Sequence, residues 1–421
     1  MHIAFFNRSY YPDTSATGQL LTDLCEDLVR VHGCRVSVVA GVPLLPSAGG
    51  APASRRLISW ETHNGVDILR ARGTRFSKRR FAGRAANYVT YFLSASVAGL
   101  RLDRPDVVVA LTDPPIIGLA AWLAGKRWGA PLVMAFKDLF PEVTVLMQDF
   151  QSPAVNAMLQ RVNEFLVRRA ARNVALGETM RRRLIENKGA PEDRTVIIAD
   201  WADTEAIAPA PKRNPFAEAH GLTDKFVVMH SGNLGLSQSL ETVVDAAALL
   251  GHEPDIQFVF VGEGVKKADL QARTAARGLT NVMFLPFTPR ERLHESFGSA
   301  DVFVVSLQKG LAGYIVPSKL YGILAAGRPY VAAVEADCEV AALTTRWGCG
   351  RLAEPGDPRS MADAILAFYR DSAGTQAAGE QARAAGLGFD RRTQVRKYFD
   401  LFTGVAGGVE PARAAAVQRR V

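Results

Sequence analysis

Hydrophobic positions in this chain gather into short unbroken runs separated by longer amphipathic stretches. In the first half the runs are Ile3–Phe6, Val36–Ala40, Val66–Leu69, Val107–Leu111, Leu132–Phe136 and Val196–Ala199. In the second half they are Phe226–Met229, Phe258–Val261, Val282–Leu285, Val302–Val305 and Tyr330–Val334. Runs without alternation predict strands buried on both faces, and therefore parallel sheets covered by helices. The stretches between them carry helical spacing. Leu240, Val243, Val244 and Ala247 fit i, i+3, i+4, i+7, and Ser237 or Ser239 supplies the cap. The expected class is α/β, with two successive doubly wound domains.

A chain of 421 residues exceeds one ordinary core and suits two. Pro209, Pro211 and Pro215 interrupt the pattern, which places a linker at 206–224 between a domain at 1–205 and another at 225–385. From Gly386 the chain reads as loop and then helix to Phe402, expected to return toward the first domain. The tail 403–421, rich in Ala, Gly and Arg, is expected to be frayed. No apolar run reaches the roughly 18 residues of a membrane-spanning helix. Met1 leads directly into a strand with no basic leader or cleavage site, so the expected location is the cytoplasm.

Composition adds exclusions. Hydrophobic content of 48% with 22% charged residues is that of a soluble globular protein. The four cysteines form no CxxC pair, the seven histidines no HExxH, and no Asp-x-Asp triplet is present, so no metal site is expected. The net charge of +8 concentrates in residues 1–205, with 26 Lys and Arg against 20 Asp and Glu. Arg75, Lys78, Arg79, Arg80 and Arg84 form its densest cluster. Without a zinc finger or RNP motif this does not point to nucleic acid. Beside Tyr88, Tyr91 and Phe92 it suits a membrane surface; the apolar face of the segment Phe81 to Leu102 is expected to pack in the first domain, with insertion into lipid as the alternative.

Candidate chemistry lies at strand ends. The segment Pro317-Ser-Lys-Leu-Tyr-Gly-Ile-Leu-Ala-Ala-Gly-Arg-Pro329 reads as a short helix from Ser318 stopped by Gly327. Lys319 stands at its start, where the helix end itself already favours anions. A diphosphate bound there resolves that conflict. Ser231-Gly-Asn-Leu-Gly235 turns from strand to helix as phosphate-binding loops do, although many α/β domains use glycine simply to turn. Gly262-Glu-Gly264 reads either as an ordinary turn or as a wall of a nucleotide pocket, and Pro286-Phe287 as a base-stacking edge or a plug. In the first half, the loop before a helix from about Gln19 carries Thr17 and Gly18. The segment Lys137-Asp-Leu-Phe-Pro-Glu142 places a cation and two carboxylates after a strand, either as site residues or as a surface pair.

Together, Tyr11-Pro-Asp-Thr-Ser-Ala-Thr-Gly-Gln19, Asp138-Leu-Phe-Pro-Glu142, Ser231–Gly235 and Pro317–Pro329 resemble the retaining glycosyltransferases of family 4. The nearest group looks like bacterial O-antigen and exopolysaccharide enzymes of the N-acetylfucosaminyl transferase type. The resemblance implies the GT-B fold: two Rossmann-like domains facing an interdomain cleft, with the acceptor bound by the first and a nucleotide-diphosphate sugar, UDP-linked, by the second. It implies donor contacts from Gly232, Asn233, Leu234, Gly235, Ser318, Lys319, Leu320 and Tyr321, to which the pocket-wall and base-stacking readings of the strand ends add Gly262, Glu263, Pro286 and Phe287. Thr17, Gly18, Lys137 and Glu142 fall on the acceptor side, and Lys319 and Asp138 are the catalytic candidates.

No cofactor beyond the donor is implied. The implied partners are the nucleotide sugar, a lipid-linked oligosaccharide and the inner membrane surface through residues 75–84. The E-x7-E pair of the family is missing, since its positions hold Tyr314 and Gly322. The lysine after the glycine loop is also missing, with Gln238 near its place. The expected reaction is hexosyl transfer without metal. A sugar-nucleotide 2-epimerase and a non-catalytic nucleotide-sugar-binding scaffold are the alternatives.

Overall fold

The computed structural model describes residues 1–43, 56–76, 81–146 and 152–408. It divides into two compact units, one of Met1–Ala199 with the chain from Gln394 on, the other Asp200–Thr393.

The first unit begins with β1 (His2–Phe6), α1 (Ala16–Arg30), β2 (Arg35–Gly41), β3 (Ile58–His63), β4 (Val66–Ala71), α2 (Phe81–Leu100) and β5 (Val107–Ala110). It continues through α3 (Ile117–Trp128), β6 (Leu132–Ala135), α4 (Glu142–Leu146), α5 (Pro153–Arg169), β7 (Arg172–Ala175), α6 (Glu178–Lys188) and β8 (Thr195–Ile197). The strands form one sheet in the order β3-β4-β2-β1-β5-β6-β7-β8. All neighbours are parallel except the edge pair β3–β4. The inner strands β1, β5 and β6 are buried along their whole length, as their unbroken apolar runs require.

The second unit contains α7 (Pro215–Ala219), β9 (Phe226–Ser231), α8 (Leu240–Leu249), β10 (Ile256–Val261), α9 (Lys267–Ala276), β11 (Val282–Leu285) and α10 (Leu293–Gly298). After these come β12 (Val302–Ser306), α11 (Lys319–Ala325), β13 (Tyr330–Ala333), α12 (Glu339–Trp347), β14 (Gly350–Ala353), α13 (Pro358–Tyr369) and α14 (Ser372–Leu387). Its six strands are all parallel in the order β11-β10-β9-β12-β13-β14. The order reverses between β9 and β12, and ligands of such sheets gather outside the carboxyl ends at that point.

Three sequence expectations change. The stretch 206–224 is not a free linker but packs into the second unit. Asn214 caps α7 by accepting from Phe216 N and Ala217 N, while Phe216, Ala217 and Leu222 enter the core. The prolines there shape a packed turn rather than a hinge. The last helix, α15 (Arg391–Ala406), extends past the expected start of the tail; Phe402 meets the Phe5 ring edge to face, and Phe399 stacks on His32 of the first unit. Residues 409–421 lie outside the described residues, as do Lys78, Arg79 and Arg80 of the basic cluster. The helix expected from about Gln19 begins at Ala16, because Ser15 Oγ accepts from Gly18 N.

Candidate active site

At the reversal point of the second sheet, the chain leaves β9 through His230 and Ser231 into the glycine turn 232–235. Gly232 takes φ +133, a conformation reserved for glycine. The turn is tied to the next strand's loop: Gly232 N donates to Val261 O at 2.9 Å, Leu234 N to Glu263 O at 2.8 Å, and Lys266 N to Leu234 O at 3.0 Å. The fit between the two loops leaves no room for side chains. A Cβ at Gly262 would lie 2.0 Å from Gly232 O, and one at Gly264 would lie 2.3 Å from Leu234 O. These glycines are therefore required by loop-on-loop packing, which neither sequence reading anticipated.

Lys319 is the first residue of α11. Its Nζ lies 3.0 Å from His230 Nε2 and donates to Gln238 Oε1 at 3.0 Å. A Cβ at Gly232 would lie 3.6 Å from the same nitrogen, so the amine sits against the open side of the glycine turn. Burial pushes the Lys319 pKa down to about 7. Burial, and then the Lys319 charge, hold the His230 ring well below its usual range, so that ring is neutral. Gln238 is itself fixed, because Ser306 Oγ donates to its carbonyl and Gln308 N donates to Ser237 O at 2.8 Å. The residue in place of the family's missing lysine thus holds Lys319 instead.

The loop between β12 and α11 is steadied by Glu335, whose Oε2 accepts from Gly310 N at 2.8 Å and Ala312 N at 3.4 Å. His230, Gln238 and Glu335 were not among the expected site residues. His230 and Glu335 left a signal, the one a polar residue ending an apolar strand and the other a carboxylate directly after an apolar run, whereas Gln238 left none of this kind.

Other expected donor contacts divide. Asn233, Glu263 and the half-exposed Phe287 stand at the surface beside the paired loops, and Phe287 Cε1 lies 3.3 Å from where a Gly262 Cβ would be. Pro286 precedes it. Glu263 also pairs with Lys267 at 2.6 Å. Leu234, Leu320 and Tyr321 do not offer side chains to a ligand, because all three are buried in the core of the unit. Tyr321 packs its ring against Phe389 at 5.0 Å. On a helix of seven residues, positions 320, 321, 323 and 324 are needed for anchoring. Ser318 occupies the cap position without a side-chain cap bond.

In the first unit, the strand ends at β1 and β5 carry a polar group the sequence reading passed over. Arg8 pairs with Asp113 at 3.1 Å, and Ser9 Oγ donates to the other carboxylate oxygen at 2.6 Å. The Arg8 guanidinium also lies over the Tyr88 ring, 5.0 Å from its centre. After β6, the backbone N–H groups of Lys137 and Asp138 both point to Thr112 Oγ1 at 3.4 Å; Lys137 is buried and Asp138 partly open. Glu142 is partly buried and already paired, since both its oxygens accept from Lys188 Nζ, at 2.7 and 2.8 Å. Burial lowers the pKa of that amine although Glu142 opposes the shift. Thr17 lies in the first turn of α1. The space beside Gly18 is filled by the chain's own Ser15 Oγ and Asp13 Cβ, at 3.0 and 3.3 Å from an added Cβ. Among the described residues no three His, Cys, Asp or Glu side chains converge as a metal site.

The same division of the chain emerges from comparison with known proteins. Residues 16–201 match the glycosyl transferase 4-like domain, and residues 212–385 match the glycosyl transferases of group 1. Among curated proteins, the probable glycosyltransferase WbjE of Pseudomonas aeruginosa is 27% identical over 294 residues, covering 69% of this chain and 73% of the relative. A second relative, assigned as colanic acid biosynthesis glycosyl transferase WcaI of Escherichia coli (strain K12), is 32% identical over 247 residues, covering 57% of this chain and 60% of its own. Among solved structures, Anabaena HepE in complex with UDP-glucose superposes with a TM-score of 0.72 at 18% identity, over 96% of this chain and all of the other. That likeness shows the fold. The first unit therefore carries a glycosyl transferase 4-like domain and the second a glycosyl transferases group 1 domain, and the chain has the GT-B fold.

Proposed function

We propose that the protein transfers a hexosyl group, with retention at the anomeric carbon and without a metal, from a UDP-sugar to a lipid-linked or saccharide acceptor in the synthesis of cell-surface polysaccharide. The observation that carries this reading is the Lys319 amine set against the open side of the glycine turn at the reversal point of the second sheet. WcaI is named for colanic acid biosynthesis, and HepE was solved with UDP-glucose, which favours a polysaccharide setting and a UDP donor.

Departure of the nucleoside diphosphate is the demanding half of such a reaction, because negative charge accumulates on the leaving oxygens. A fixed cation and backbone amides aimed at that position lower the barrier without rearranging during the step. Lys319 supplies the cation, and the backbone N–H groups of Asn233 and Gly235 supply the amides, those of Gly232 and Leu234 being used to hold the neighbouring loop. Asp138 serves to orient the acceptor hydroxyl or accept its proton, a role a diphosphate oxygen can share. Arg8, Ser9 and Asp113 give the first unit a polar group suited to sugar hydroxyls, with Tyr88 as a flat neighbour. Lys137 and Thr17 belong to the same acceptor reading, and exposed Arg75 contributes to attraction toward an anionic membrane surface.

The test is to incubate the protein with UDP-, GDP- and dTDP-sugars and polyprenyl-diphosphate-linked acceptors and read the products by mass. Lys319→Ala is expected to fold and to lose about a hundredfold in turnover, the ~3 kcal/mol typical of one such donor. Near-normal turnover of that variant at saturating donor overturns the assignment. Epimerised donor without acceptor, or binding without any product, favours the other two readings.

A further inference from the structure

Three helices of the first unit form one layer over its sheet. A Cβ at Gly99 of α2 would lie 2.8 Å from the Phe6 ring and 3.3 Å from Ala124 of α3. One at Gly118 of α3 would meet Leu166 of α5 at 2.6 Å and Met134 of β6 at 3.0 Å. With their inner faces packed in this way, the composition of the outer faces is unusual. Every exposed residue described in α2 is apolar: Ala82, Val89, Leu93, Val97 and Leu100. Leu93 keeps 57% of its surface and Val89 48%. The exposed residues of α3 are Leu123, Lys126 and Arg127. Those of α5 are small or apolar, including Met158, together with Arg161, Arg168 and Arg169. No carboxylate is exposed on any of the three helices; their single acidic residue, Glu164, is partly buried and accepts from Gln160.

We infer that this layer is a docking surface for an anionic lipid bilayer, with the α2 ridge entering the headgroup–acyl boundary and the cations of α3 and α5 resting on lipid phosphates. The charge pattern chooses the occupant. Apolar side chains bordered by cations alone complement a surface that is apolar within and negative at its face. A second copy of the chain docked symmetrically would bring the same cations together, which opposes that pairing. The polar groups of the ridge also suit lipid. Ser96 Oγ donates to Phe92 O at 2.8 Å and Thr90 Oγ1 to Ala86 O at 2.7 Å, so both hydroxyls are satisfied inside the helix. Between α3 and α5 the surface opens into a groove of about 430 Å³ lined by Leu119, Met158 and Phe165, with Arg161 at its wall. The inference concerns the first unit alone and stands whether or not the donor reading of the second holds.

The test uses the full chain and vesicles of phosphatidylcholine with or without phosphatidylglycerol. The protein is expected to float with the anionic vesicles. The double variant Leu93→Gln, Val97→Gln is expected to lose about tenfold or more in partitioning while keeping its melting temperature and its UDP affinity. Arg127→Gln with Arg161→Gln is expected to lose the preference for anionic vesicles. A fluorophore attached at Val97→Cys reports insertion directly, since the four native cysteines are buried. Its emission should shift to the blue on anionic vesicles. Unchanged flotation of the Leu93/Val97 variant, or no emission shift, overturns the inference. So does a lipid-free dimer of the parent protein that this variant dissociates.

Discussion

The Lys319 amine lies 3.0 Å from Nε2 of His230, a cation held against a ring that burial keeps neutral. Only one of the two can carry a proton at modest cost, and the amine itself titrates near pH 7 rather than near 10.5. A diphosphate arriving beside it stabilises the charged form. Donor binding at pH 8 is therefore expected to take up a proton, and uptake should fade as pH falls below about 7, where the amine is already charged. Calorimetry of UDP binding in buffers of different ionisation enthalpy measures this. Lys319→Met should bind more weakly and without proton uptake.

The same depressed pKa bears on stability in the absence of ligand. Between pH of about 7 and 10.5 the unfolded chain holds a proton on Lys319 that the folded chain has released. Stability contributed by this site therefore rises with pH across that window and is flat below it. Thermal melts of the parent and Lys319→Met proteins at several pH values isolate the term. A parent-minus-variant difference that stays constant from pH 7 to 10 contradicts the buried-amine assignment.

Gly264 offers a purely steric test of the loop pairing. An added Cβ meets Leu234 backbone atoms at 2.3, 2.6 and 2.7 Å, none of which can swing aside as a side chain would. Gly264→Ala should shift the 232–235 turn and weaken UDP binding by at least about tenfold, with a loss of ~1–3 kcal/mol in stability. Gly404→Ala, where no atom lies within 4 Å, is the matching control and should leave UDP binding unchanged.

The sequence disclosed the buried strands well because β1, β5, β6, β9, β10, β12 and β13 pay for two-sided burial with continuous apolar runs. It hid β3, β7 and β14 for equally physical reasons. Ile58–His63 lies on an edge with mostly open side chains, Arg172–Ala175 begins with Arg and Asn, and Gly350–Ala353 is short with two exposed positions. For the site, Lys319 and the glycine turn were legible from local chemistry at a helix start and a strand end. The partners of Lys319 were not, because His230 and Gln238 lie 89 and 81 residues away in sequence and meet it only through the fold. The burial of the Leu320 and Tyr321 side chains was hidden for a related reason. Motif membership does not reveal which face of a short helix must be buried.

Asp138 tests the acceptor side of the reaction. Asp138→Asn preserves size but removes the charge and replaces one acceptor oxygen with a donor, so a group that orients or deprotonates the acceptor should lose transfer while donor affinity stays within about twofold. Steady-state transfer rates set against UDP-sugar dissociation constants separate the two effects. Equal losses in both argue that Asp138 maintains the loop rather than acting on the acceptor.

Gly322 stands where family 4 enzymes often have a glutamate, and its surroundings decide what restoring one would do. An added Cβ would lie 3.0 Å from Cε2 of Phe297, with Ile207 Cδ1 at 3.9 Å. Phe297 packs against the Phe303 ring at 5.0 Å, so it yields only by disturbing the core. Gly322→Glu is thus expected to destabilise the protein by about 1–3 kcal/mol without tightening UDP binding, because Phe297 fills the space the side chain must leave through. Gly322→Ala should show most of the same destabilisation, since the collision begins at Cβ. Melting temperature and UDP affinity of both variants check this. A Gly322→Glu protein that binds UDP more tightly and melts no lower would show that the position still faces the nucleotide.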